Sequence, residues 1–345
     1  MPQWRDGELA ILRVGAADQL TAHQLAARLR RHTATDIARA ARTLGVELPQ
    51  EAPASGELLA EPPAANFPLD VPVRPFAVRI PAPMPGRREG RSFRAVVYGD
   101  THVPFQDPAA LRVVQGIVRD VKPDVLLNVG DLVDSWQISR FDKDPARRDT
   151  LQDNIDEARQ HLAEMAQCAP AARRVLLEGN HEARLTKAIW RLEGAARELP
   201  RLRIFQREVT WPRLLELEAV GWEWVPTQEQ SRTAILPKII TKHGEVVRKW
   251  SGSTARGEWE RYGRSGLSGH THRLGDFLRR DHNGVARWVE TGCTCLLEAP
   301  YGVDFDWIQG CVVIAWNADR RLMQVELVPI RDGAAIHRDT IYHPE

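Results

Sequence analysis

The stretch Phe93-Arg94-Ala95-Val96-Val97-Tyr98-Gly99-Asp100-Thr101-His102 decides how the rest of the chain is read. Phe93, Ala95, Val96, Val97 and Tyr98 make its first part a run of β-formers, and the run breaks at Gly99. Asp100 and His102 follow two positions apart. Residues i and i+2 of an extended chain point to the same side, so a strand ending in Asp-x-His aims a carboxylate and an imidazole at one point. That is half of a metal site, and it sends the search along the chain for the other half.

Downstream, hydrophobic strands and polar helices alternate, and each strand ends in residues of metal-ligand type. Asp124 to Val129 is an apolar run closed by Gly130-Asp131, and Arg174 to Leu177 leads into Gly179-Asn180-His181-Glu182. Ile235 to Thr241 leads to His243, and Gly269-His270-Thr271-His272 follows a helix expected at about 253–264. Between these strands the sequence predicts helices from Pro108 to about Val121 and from about Pro145 to Gln167, and strands again over 285–290, 309–316 and 322–328. Strand ends gather on one edge of a sheet, so distant residues converge there. Each piece alone is weak, since a lone Gly-Asp is commonly a turn. The conjunction in this order points to a metal centre.

The blocks Asp100-Thr101-His102, Gly130-Asp131-Leu132-Val133-Asp134, Gly179-Asn180-His181-Glu182, the lone His243 and Gly269-His270-Thr271-His272 together resemble the calcineurin-like metallophosphoesterase superfamily. The resemblance implies an α/β fold, a two-sheet β-sandwich flanked by helices. It implies two divalent metal ions, with Mn²⁺ expected and Fe, Zn²⁺ or Ni²⁺ as alternatives. Asp100, His102 and His272 would hold one, Asn180, His243 and His270 the other, and Asp131 would bridge them. A metal-bridging hydroxide would attack phosphorus, His181 would protonate the leaving oxygen, and Asp134 would orient His181.

One departure stands out. Many family phosphatases carry Arg directly after the second Asp of the second block, where it binds phosphate, whereas here Ser135 and Trp136 follow. Arg140, Arg184 and Arg273 lie near motif ends and are candidates for that task, each weighed against an ordinary surface arginine. The absent Arg sits more easily with a phosphodiester, nucleic-acid or nucleotide substrate. A phosphomonoesterase for phosphoprotein or small nucleotides, and a DNA-binding regulator with a phosphoesterase-like domain, are the competing readings. Ser139-Arg140-Phe141 after the second block, with Gly292-Cys293, Tyr301 and Trp307 after the last, also resembles phage-borne metallophosphoesterases, a likeness that names no substrate.

Residues 1–48 read as a three-helix module. Leu9 and Leu12 mark a first helix behind Trp4, Thr21 to Gln24 forms a capping box before Leu25 and Leu29, and Thr33 caps a third helix through Ile37, Ala41 and Leu44 that stops at Gly45. The pattern resembles Myb/SANT-like helix-turn-helix modules, which implies DNA binding through Thr35, Asp36, Arg39 and Arg42 on the third helix. A docking or oligomerisation module is the alternative. Residues 49–90 are a proline-rich linker, with Pro62-Pro63 and Pro81, Pro83 and Pro85, suited to an extended spacer. The catalytic domain then spans 91–345, with 183–234 expected as a helical insertion.

Bulk properties set the frame. The chain has 345 residues, 43% hydrophobic and 27% charged, and a net charge of +1, so any nucleic-acid affinity needs a local patch. The 4 cysteines lack CxxC spacing and read as reduced thiols. No signal-peptide pattern and no membrane-length apolar run is present, so the cytoplasm is the expected compartment. Oligomeric state is open.

Overall fold

A computed structural model describes residues 34–48, 92–282, 284–298, 306–319 and 322–343, with Leu12 and Leu25. By packing, the chain divides into two units, Met1–Val78 and Arg79–Glu345. The expected linker, most of the first two N-terminal helices and Tyr301 lie outside the described residues. In the first unit, helix α1 is Ala34–Thr43. Ile37, Ala40 and Ala41 pack with Leu12 and Leu25, while Leu44 closes over them. Gly45 follows with φ of 66°, the left-handed stop that glycine accepts most readily. Arg39 and Arg42 are exposed.

The second unit is a two-layer β structure. Six strands form one sheet in the order β10-β9-β1-β2-β3-β4, where β1 is Phe93–Tyr98, β2 Val125–Asn128, β3 Arg173–Leu177, β4 Trp222–Val225, β9 Gly310–Asn317 and β10 Leu322–Pro329. The second sheet has the order β5-β6-β8-β7, with β5 Ile240–Lys242, β6 Gly266–Ser268, β7 Leu274–Asp281 and β8 Gly284–Thr291. A small pair, β11 Ala335–His337 and β12 Thr340–Tyr342, completes the strands.

Strand periodicity explains the layering. In β1 the alternate residues Ala95 and Val97 face the second sheet, joining Leu127, Val175, Leu267 and Val289. Val96 and Tyr98 face the other way, into a core with Leu126 and Leu176. Helix α2, Pro108–Val121, and helix α3, Leu151–Cys168, cover that side with Val114, Ile117, Leu162 and Met165. Both faces of β1 to β3 are therefore apolar, as buried parallel strands require. The expected sandwich flanked by helices is the observed architecture.

Several elements differ from expectation in instructive ways. Helix α3 begins at Leu151, not near Pro145, because Thr150 and Asp153 form a capping box: Asp153 N donates to Thr150 Oγ1 at 3.1 Å and Thr150 N to Asp153 Oδ2 at 2.8 Å. Residues before Thr150 are thereby left to a loop. The helical expectation for 183–234 omitted β4, which pairs parallel to β3 at the sheet edge. The helices there are α4 Ala183–Trp190, α5 Arg203–Glu208, α6 Trp211–Leu214 and α7 Leu217–Val220. Trp211 and Trp222 fill the core beside α3, where Trp222 Nε1 donates to Leu162 O at 3.0 Å. Trp190, by contrast, is 78% exposed. Helix α8 is Ser253–Tyr262.

Candidate metal centre

The loops that leave β1, β2, β3, β5 and β6 meet at one edge of the sandwich. Their backbones are bent sharply: Asp100, His102, Asp131, His270 and His272 have φ of 48°, 51°, 50°, 72° and 58°. Positive φ costs a non-glycine residue, and such residues persist only where surroundings hold them. Glycines make the close approaches possible. A Cβ on Gly179 would strike Asp131 and Glu182, and one on Gly269 would strike Asp100. Hydrogen bonds lock the loops together. Asp100 Oδ1 accepts from His270 N at 2.8 Å, and Asp131 Oδ1 from His181 N at 2.9 Å.

The side chains converge as the spacing required. Asp131 Oδ2 lies 3.3 Å from His243 Nε2, 3.7 Å from His102 Nε2 and 3.8 Å from His181 Nε2. His102 Nε2 and His272 Nε2 are 2.9 Å apart, and His272 Nε2 is 3.4 Å from Asp100 Oδ1. Asn180 Oδ1 is 3.0 Å from His243 Nε2. Among the described residues four clusters of donors come within reach of one another, and two of them share Asp131: Asp100 with His102, Asp131 and His272, and Asp131 with His243 and His270. Asp131 belongs to both.

This donor set fits cations. Asp100 Oδ2 is fully buried with no hydrogen-bond partner, an expensive state for a carboxylate oxygen unless a cation compensates it. His243 Nδ1 donates to Val129 O at 3.0 Å, which turns Nε2 into the centre. Carboxylate, amide and imidazole suit first-row divalent ions.

The electrostatics tell the same story. Burial alone would raise the Asp131 carboxyl, yet the charges of His181 and His243 hold it well below its ordinary range. Burial opposes charge on His243 and His272, but their carboxylate partners, Asp131 for one and Asp100 for the other, carry them to about 9 and about 10. His270 is instead pushed down, by burial and by the charge of His243. Without a cation, the centre therefore holds protons near neutral pH that a metal must displace. Apparent Mn²⁺ affinity is expected to climb as pH rises toward about 9, and binding should release protons. Calorimetry at pH 7 in buffers of different ionisation enthalpy checks this, and a buffer-independent heat would contradict it.

Asp134 and Glu182 organise the centre from behind. Asp134 Oδ1 is 3.2 Å from His181 Nδ1 and 3.4 Å from His102 Nδ1, and its backbone O accepts from His181 Nδ1 at 2.7 Å. The expectation had Asp134 orient His181 alone, but it faces His102 as well. Glu182, 0% exposed, accepts from Gly179 N at 2.8 Å, Asp131 N at 3.0 Å and Val133 N at 3.0 Å. It ties the β2 and β3 loops together, a role sequence reading missed. Its signal was an acid with no apparent job after Asn180-His181. Burial and the neighbouring Asp131 carry its carboxyl up to about 7.

The three candidate arginines separate. Arg184 reaches the centre, with Nη1 2.6 Å from Asp134 O and Nη2 2.8 Å from His181 Nε2. Arg273 is turned to Asp306 at 2.7 Å and to Arg248 O at 2.7 Å. Arg140 is exposed and lies 5.7 Å from the Phe141 ring. Arg147, not singled out from sequence, has Nη1 3.8 Å from Asp134 Oδ2. A cavity of about 430 Å³ opens beside Asn180 and His243, with Lys187, Thr227 and Tyr262 in its wall. The cysteines are all free and buried, and Cys295 Sγ lies 4.0 Å from His272 Nδ1.

Fold and site together fit a phosphoesterase with a place for divalent metal ions. The chain belongs to the calcineurin-like phosphoesterase family, whose model matches residues 93–274. It is similar to the Gene 54 protein of Mycobacterium phage L5, 28% identical over 255 residues, which covers 70% of this chain and 95% of that protein. The Gene 54 protein of Mycobacterium phage D29 is 26% identical over the same shares. Among solved structures, a dimetal phosphatase from Danio rerio matches with a TM-score of 0.34 and 12% identity over 68% of this chain and 98% of that one. A Vps29 mutant from Entamoeba histolytica matches with a TM-score of 0.36 and 12% identity over 73% and 98%. Among the described residues no helix is long and apolar enough to cross a membrane.

Proposed function

We propose that the chain is a two-metal phosphoesterase acting on phosphodiester, nucleic-acid or nucleotide bonds. The observation that carries this reading is the position of Asp131 Oδ2, within 3.3–3.8 Å of His243, His102 and His181 and so common to both donor groups. Asp100, His102 and His272 would hold one ion, Asn180, His243 and His270 the other, and Mn²⁺ fits this mixed set. When bound, such a pair supplies Lewis acidity and makes hydroxide available near neutral pH.

The chain's own groups do the rest. Asp134 fixes the His181 ring through Nδ1, so that Nε2 faces the reacting centre and gives its proton to the leaving oxygen. Burial and the charge of Arg184 disfavour the imidazolium of His181, while Asp131 and Asp134 raise its pKa on balance. Arg184 donates to Nε2 here, so it must turn to the phosphoryl oxygens before Nε2 carries the proton it gives up. Arg184, already at His181 Nε2, offers a fork of donors to phosphoryl oxygens. It takes the place of the arginine that Ser135 and Trp136 lack. That same guanidinium also favours the second reading, a monoesterase of phosphoprotein or small nucleotides, because a doubly charged monoester gains most from it. The N-terminal unit, with Arg39 and Arg42 exposed on α1, is proposed to deliver the hydrolase to DNA.

Two measurements test this. Protein reconstituted with Mn²⁺, Ni²⁺, Fe²⁺ or Zn²⁺ should hydrolyse bis-p-nitrophenyl phosphate faster than the monoester. Inertness toward both with every ion removes the enzyme claim. His181→Ala should lower kcat by roughly 10²–10⁴ on a nucleoside leaving group. The loss should be smaller on p-nitrophenolate, which leaves without a proton. Equal losses on both would take the acid role from His181.

A further inference from the structure

The loop after Asp134 and the helix after His181 place cations on aromatic rings beside the metal centre. Two rings carry two cations each. Lys143 Nζ lies 4.9 Å and Arg147 Cζ 4.4 Å from the Trp136 ring, while Arg140 Cζ lies 5.7 Å and Arg184 Cζ 5.9 Å from Phe141. Arg147 is also 4.8 Å from the Phe105 ring. The loop is folded around the Lys143 ammonium, which donates to Ser139 O at 2.9 Å and Ser139 Oγ at 2.8 Å. Arg184 joins this group to His181, and Arg147 joins it to Asp134.

The local carboxylates are accounted for. Asp149 accepts from Arg147 Nε at 2.9 Å and from Gln137 Nε2 at 2.8 Å, Asp144 accepts from Ala146 N at 2.8 Å, and Asp142 is exposed. The Lys143 ammonium is disfavoured by burial and then by the charges of Arg184, Arg147 and Arg191. Cations held together against their own repulsion gain when an anion arrives. A single phosphoryl group at the metals engages one or two of them, and the others point to further phosphates. Phe141 stands 59% exposed among them, a large apolar face with nothing to gain from water. Alternating cations and exposed rings suit a strand whose phosphates repeat and whose bases stack.

We propose that residues 136–147 with Arg184 form a binding track for single-stranded polynucleotide. Phe141 stacks on a base next to the scissile phosphate, Arg140 and Arg184 take the phosphates that flank it, and Lys143 and Arg147 hold the loop in shape. This rests on the phosphoesterase reading above and narrows its substrate to a polymer.

The test uses the full-length protein loaded with Mn²⁺ and compares bis-p-nitrophenyl phosphate, oligothymidylates of increasing length and a duplex. Expected is a rise in kcat/KM of about tenfold or more from dinucleotide to octanucleotide, consistent with added stacking and phosphate contacts. The octanucleotide KM should rise with salt at a log–log slope of about 0.7 per phosphate held, and Arg140→Ala should remove about one such unit. Phe141→Ala should raise that KM about tenfold with kcat within about twofold, whereas Arg201→Ala, on the 3₁₀ turn at Gly194–Arg201, should alter neither. If the small diester is cleaved but the octanucleotide is no better than the dinucleotide, or the duplex is preferred, the track is overturned and the phosphoesterase stands. If no substrate is cleaved with any ion, both fall.

Discussion

Asp131→Asn is expected to lower hydrolysis of bis-p-nitrophenyl phosphate by roughly a thousandfold or more, the several kcal/mol that metal assistance supplies, while leaving the fold in place. The asymmetry comes from the two oxygens of one carboxylate. Oδ1 accepts the His181 backbone N–H at 2.9 Å, a bond an amide oxygen makes equally well. Oδ2 is the atom that faces His102, His243 and His181. An asparagine that keeps the first bond must point an NH₂ group at the second position, where donors repel cations. Metal content by elemental analysis should drop with activity, and the circular dichroism spectrum should not change. A variant that retains both ions and full activity would remove Asp131 from its bridging place.

Glu182→Ala is expected to be the most damaging single change to stability near the site. It strands the N–H groups of Gly179, Asp131 and Val133, all buried. Each buried N–H left without an acceptor costs about 1–3 kcal/mol, so three of them together cost at least about 3 kcal/mol. At about 2–4 °C per kcal/mol for a domain of this size, the melting temperature falls by on the order of 10 °C. The loop carrying Asp131 is then no longer tied to that carrying Asn180, so metal affinity falls too. Glu182→Gln should be intermediate, since one acceptor oxygen remains while the new NH₂ opposes one backbone donor. Thermal unfolding with and without Mn²⁺ separates the effects. A Glu182→Ala protein with unaltered melting and metal uptake would refute the tie.

What the sequence made legible was chemistry at strand ends. Asp100, His102, Asp131, Asn180, His243, His270 and His272 were all singled out by residue type and spacing, and all come together in space. Strands β1, β2 and β3 were readable because both faces are buried and their runs are uninterrupted. Strand β7 was not, since Leu274 to Asp281 mixes one inward leucine with exposed arginines. Strand β4 was hidden by tryptophans that read equally well as helix packing. Positioning groups escaped for a different reason. Glu182, and Asp134 toward His102, act through backbone donors or neighbouring ligands, so sequence can mark Glu182 as an acid beside the ligands but not name the N–H groups it holds. Arg147 was likewise invisible, because only the folded loop sets it on Trp136.

The separation of paired groups along the chain has a consequence in time. His102 and His272 lie 170 positions apart yet meet at 2.9 Å, and the same span joins Asp100 to His270. Closing so long a loop is slow relative to local structure, so these contacts form late. During synthesis, β1 to β3 leave the ribosome well before His272, and no length that stops short of His272 holds both halves of the centre. A chain stalled before His272 therefore lacks part of the proposed donor set, whatever else of the domain has folded.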